Sequence, residues 1–201
     1  DDDIKGDRGA VCLPSDEDFP GGDRPTVVAN ALFIITARVT QLTRKAPAPV
    51  DRPGYTALIP GMVRFLLRMQ LARGGWGIYR YDPAYYGAGV DVPPDTFFTG
   101  IVVSALRLAF GVLEPPLQTE VRVALQRCAD FIADTVCTTG GDAGAAWSPA
   151  FDPDEPPTAC ATAQTAIALL RLERFMDDAA KARLRPLAEE ALNGLTSLWH
   201  L

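Results

Sequence analysis

The chain has 201 residues, 48% hydrophobic and 22% charged, enough for one sizeable core and short for two domains. Its 25 acidic against 19 basic residues leave a net charge of −6, which argues against a surface built to neutralise phosphate backbones, so no nucleic-acid partner is expected. The four cysteines (Cys12, Cys128, Cys137, Cys160) lack CxxC spacing and the one histidine is His200. Neither a disulfide framework nor a zinc cluster is signalled: the sequence predicts no metal and no cofactor, and a cytoplasmic setting.

Residues 1–24 are rich in Asp, Gly and Pro and carry little apolar periodicity, so an acidic tail or linker is expected there. The start at Asp1-Asp2-Asp3 and the stop at Trp199-His200-Leu201, inside an amphipathic pattern, are read as marks of a fragment. No signal-peptide pattern opens the chain. The longest apolar run, residues 97–110, is interrupted by Arg107 and is too short for a membrane span.

From residue 25 onward two kinds of helical pattern alternate. Residues 27–35 are apolar nearly all round, broken only by Asn30, and residues 97–110 and 163–170 are similar; such helices are buried on most sides. Between them lie amphipathic stripes at a 3.6-residue period: Leu58, Met62, Phe65, Met69; then Val121, Leu125, Cys128, Ile132; then Leu184, Leu187, Ala191, Leu195, Leu198. The predicted order is buried helix 25–43, covering helix 55–72, buried 95–111, covering 117–137, buried 158–175 and covering 180–200. Pro and Gly break the connections, and Asp95 and Thr158 stand where N-caps are needed. The fold class is therefore all-α, with six main helices in hairpins spanning about 25–72, 95–137 and 158–200. An internal repeat follows if Thr26, Thr99 and Thr162 are aligned, each preceding an Ala-Leu pair.

The stretch Gln70-Leu71-Ala72-Arg73-Gly74-Gly75-Trp76-Gly77 resembles the QW repeat of squalene and hopene cyclases, and residues 162–170, with Gln164, Thr165 and Ala166, resemble the opening of an inner helix in the same family. Trp147 stands in a degenerate second copy counted from Gly144. Together these cover most of residues 25–200 and point to the terpenoid-cyclase and protein-prenyltransferase superfamily. The resemblance implies a partial α/α-toroid, about half of a closed ring, completed by the rest of a parent protein or another subunit. Gln70, Gly74, Trp76, Gln164 and Thr165 are its structural positions. A glutamine can serve backbone groups left open at a helix end, and an indole can lie over the next inner helix.

Class II cyclases start carbocations with an Asp-x-Asp-Asp motif whose middle acid stays protonated, which needs a raised pKa. Asp91-Val92-Pro93-Pro94-Asp95-Thr96 matches only at its ends, with Pro94 where the proton donor belongs. Asp152, Asp154 and Glu155 form a second acidic group, in a loop where water would keep them ionised. The prenyltransferase zinc site fails as well, because Phe98 stands where its His is expected. Trp76, Tyr79, Tyr81, Tyr85, Tyr86 and Phe97 could line an apolar pocket, or simply pack a loop over the end of the helices. Arg73 and Arg80 could meet an anion there. The expected function is a non-catalytic repeat module offering a groove to a protein or to an apolar or isoprenoid ligand; the alternative is an isoprenoid-handling enzyme completed by other repeats. Inner helices this apolar need neighbours, so the edges carrying Phe33, Ile34, Ile167 and Leu170 are expected to close on each other or to be covered.

Overall fold

The computed structural model describes residues 26–43, 53–77, 94–138, 145–148 and 156–198. Within them the chain is all-α: α1 (Val27–Thr43), α2 (Pro53–Arg68), α3 (Thr96–Ala109), α4 (Pro115–Asp134), α5 (Ala159–Leu172) and α6 (Asp178–Leu198). Short 3₁₀ turns, Phe110–Val112 and Glu173–Phe175, end α3 and α5. The described β structure is a two-residue antiparallel pair, Cys137 opposite Ala146 and Thr138 opposite Ala145, and an isolated bridge between Trp76 and Asp95.

Helices α1, α3 and α5 stand side by side, with α3 between the other two, while α2, α4 and α6 cover them. The apolar surface of α3 explains its central place: nine of its residues, from Thr96 to Ala109, are buried. Close approach to α5 depends on small residues. A Cβ on Gly100 would lie 2.8 Å from Cγ of Gln164, so the glycine admits the neighbouring helix. Ala105 and Ala168 are fully buried, as inner positions should be.

The boundaries differ from the sequence reading in instructive ways. Helix α4 starts at Pro115 rather than two residues later, because a proline is well suited to the first helical position, where its missing N–H has no partner to lose. Helix α2 stops at Arg68, and residues 69–77 form the turn that carries Trp76.

The repeat is real in its hydrogen bonds but its register is not Thr to Thr. Thr26 Oγ1 accepts from Ala29 N (3.1 Å), Asp95 Oδ1 from Phe98 N (2.8 Å) and Thr158 Oγ1 from Ala161 N (3.2 Å). These three are the caps, so Thr26 corresponds to Asp95 and Thr158. The position four residues on is Asn30, Thr99 and Thr162, buried and polar in each helix.

Among the described residues the row does not close: α1 and α5 each pack extensively on α3 but not on each other. Ile34, expected at an edge, is wholly buried, because it lies about 200° around the helix from Leu32. The outer stripe of α1 is instead Leu32, Val39 and Leu42, the last 63% exposed; on α5 Ile167 and Leu170, expected to be closed over or covered, are exposed among the described residues.

Candidate functional site

The turn after α2 is assembled around Gln70 and Trp76. Gln70 Nε2 donates to Gly74 O (2.7 Å) and to Ala124 O in α4 (2.8 Å), joining one covering helix to the next. Gly74 has φ +100°, and a Cβ there would meet Arg127 O at 2.4 Å, so both the backbone conformation and the space demand glycine. Trp76 is wholly buried, and its Nε1 donates to Leu66 O (2.7 Å), a carbonyl of the last turn of α2. Its backbone N donates to Thr99 Oγ1 (2.8 Å) and its carbonyl accepts from Asp95 N (2.9 Å).

Trp147 repeats each of these bonds. Its Nε1 donates to Ile132 O (3.0 Å), its N to Thr162 Oγ1 (3.1 Å), and its carbonyl accepts from Thr158 N (3.1 Å). Both tryptophans thus fasten a covering helix to the start of the next inner helix.

Other predicted site residues fall around this end. Asp95 is half-buried and its carboxylate caps α3. Phe97 is half-buried, edge-to-face with Phe98 at 5.3 Å. Arg73 is exposed on the turn. Gln164 lies against Gly100, and Thr165 is buried with a hydroxyl that has no hydrogen-bond partner among the described residues. Tyr79, Arg80, Tyr81, Tyr85, Tyr86, Asp91, Asp152, Asp154 and Glu155 lie outside the described residues. No group of three or more His, Cys, Asp and Glu that could hold a metal ion occurs among the described residues.

A different site stands where α1, α3 and α5 end. Arg38, Leu42, Arg107, Leu108, Phe110, Gly111, Arg122, Arg174 and Phe175 line a cleft of about 500 Å³. Its floor is the edge-to-face pair Phe110–Phe175, with centroids 5.0 Å apart. The Arg174 guanidinium lies 4.6 Å from the Phe175 centroid and that of Arg122 lies 5.4 Å from that of Phe110, both within cation–π range.

Two of the arginines are partly occupied by the fold. Arg38 Nε donates to Leu108 O (2.9 Å) and Arg174 to Arg107 O (3.0 Å), serving carbonyls left open at the end of α3. Among the described residues the guanidiniums of Arg107 and Arg122 make no hydrogen bond or ion pair. The nearby Glu173 is held by Arg185 through a two-pronged pair at 2.7 and 2.9 Å, and that bond keeps its carboxyl below the usual range. Burial, then repulsion from Arg107 and Arg122, lowers the pKa of Arg174; burial and Arg107 do the same to Arg171. Arginine nevertheless stays charged in proteins, so this end of the helices carries concentrated positive charge in a chain of net charge −6.

Sequence reasoning missed this cleft, because its arginines come from four separate elements and share no spacing. No protein-family model matches the chain, and no curated protein matches it.

Proposed function

We propose that the chain is a non-catalytic helical-repeat module of the prenyltransferase and squalene-cyclase type, a partial toroid within a larger assembly, which presents a groove and loops to a protein partner or an apolar ligand. The observation that carries this reading is the use made of the motif residues: Gln70, Trp76 and Trp147 donate to backbone carbonyls, and Asp95 caps α3. Each of these contacts ties a helix to the turn or helix beside it, a structural use of the motif, and Pro94 stands where the proton donor of a cyclase would belong. Among the described residues the row of inner helices is open, which adds support, since carbocation chemistry needs a cavity that excludes water. The unpaired thiols of Cys128 and Cys160 agree with a reducing, cytoplasmic setting.

Incubation of the chain with squalene and a panel of polyprenyl diphosphates, followed by product analysis, tests this reading. The expected outcome is unchanged substrate. A cyclic product whose formation is abolished by Asp95→Asn would overturn it in favour of an isoprenoid-handling enzyme.

A further inference from the structure

The geometry points to the arginine cleft as a binding site for a small phosphoryl anion carrying two or more negative charges, held by Arg107, Arg122 and Arg174 over the Phe110–Phe175 floor. Three observations converge on it. The first is uncompensated charge. Four arginines line one cleft and no acidic residue is among its described lining residues, although acids outnumber bases 25 to 19 in the chain. Like charges so placed raise the energy of the unliganded molecule, and an anion relieves them.

The second is donor capacity. A guanidinium has five N–H donors in a planar fork matched to phosphate and carboxylate oxygens. Helix capping uses one donor each on Arg174 and, towards α3, on Arg38, and leaves Arg107 and Arg122 unused among the described residues. Capping therefore accounts for Arg38 and Arg174 and leaves the N–H donors of Arg107 and Arg122 without a hydrogen-bonding role among the described residues. Arg122 comes from covering helix α4 and is held over both rings, 5.4 Å from the Phe110 centroid and 6.0 Å from that of Phe175, so aromatic contact presets its place.

The third is the match of charge and size. Several arginines converging on one space favour a multiply charged group over a single carboxylate, and about 500 Å³ admits such a group with room for a further substituent. The site does not depend on the toroid reading, since it is built from the ends of helices whose packing is described directly. Failure of the polyprenyl test would leave it intact.

Calorimetric titration of the full 201-residue chain with inorganic pyrophosphate tests the assignment. Saturable binding is expected, weakened at least about tenfold by Arg122→Gln, the effect of losing a charge-assisted hydrogen bond. Arg107→Gln provides a second variant, circular dichroism checks that each is folded, and Arg64→Gln on the exposed face of α2 is the control for net charge. Binding that is absent at millimolar pyrophosphate, or that falls as much with Arg64→Gln as with Arg122→Gln, would overturn the proposal. So would a tenfold preference for a phosphorylated peptide over pyrophosphate, which would reassign the cleft to a protein partner.

Discussion

Thr99 and Thr162 show how much of this molecule rests on single hydroxyls in apolar surroundings. Both are buried, and each accepts from the backbone N–H of a tryptophan that arrives from the preceding turn. Removing the acceptor while keeping the shape leaves a buried N–H unpaired, which costs about 1–3 kcal/mol. Urea unfolding of Thr99→Val and Thr162→Val should therefore show losses of that order and of similar size. If one variant is neutral, the two turns are not equivalent and the repeat in hydrogen bonding is accidental. Position matters more than residue type here: Thr26 looked like the counterpart of these two in the sequence, yet it is a cap, and Asn30 occupies their place. Matching threonine to threonine could not reveal this, because Asp and Thr are both favoured helix caps and so stand in for one another.

Among the elements, the helices were legible and the joints less so. Alternation of all-round apolar and one-faced patterns located the six helices, since burial on many sides or on one side leaves a direct imprint on side-chain polarity. The caps Asp95 and Thr158 were also readable from residue type. What could not be read was how the row ends: Leu32, Val39 and Leu42 face outward only because of the rotation that buries Asn30, Ala31 and Ile34. The joint between α2 and α3 has its own test. Gly74 combines a left-handed φ of +100° with a Cβ position 2.4 Å from Arg127 O, so relief requires moving α4 itself. Gly74→Ala should destabilise by at least about 1–3 kcal/mol, the range for local backbone strain. An unfolding midpoint equal to that of the parent chain would mean that the turn is not seated on α4 as described.

The whole molecule has two unlike ends. At the starts of α1, α3 and α5, polar side chains are committed to backbone partners: caps at Thr26, Asp95 and Thr158, tryptophan turns at α3 and α5. At the opposite end positive charge is concentrated in a cleft with two guanidiniums left over. The motif-bearing end was visible in the sequence because Gln70 to Trp76 are contiguous; the charged end was not, because only folding brings Arg38, Arg107, Arg122 and Arg174 together. We read the first end as architecture. Asp95 decides it, since asparagine caps a helix about as well as aspartate and alanine does not, whereas relieving a strained catalytic acid tends to stabilise its protein. The direct measurement is the urea unfolding free energy of Asp95→Asn and Asp95→Ala beside the parent chain. Asn should stay within a few tenths of a kcal/mol and Ala should lose about 0.5–2 kcal/mol; a gain of stability in both variants would mark Asp95 as an acid held for chemistry instead.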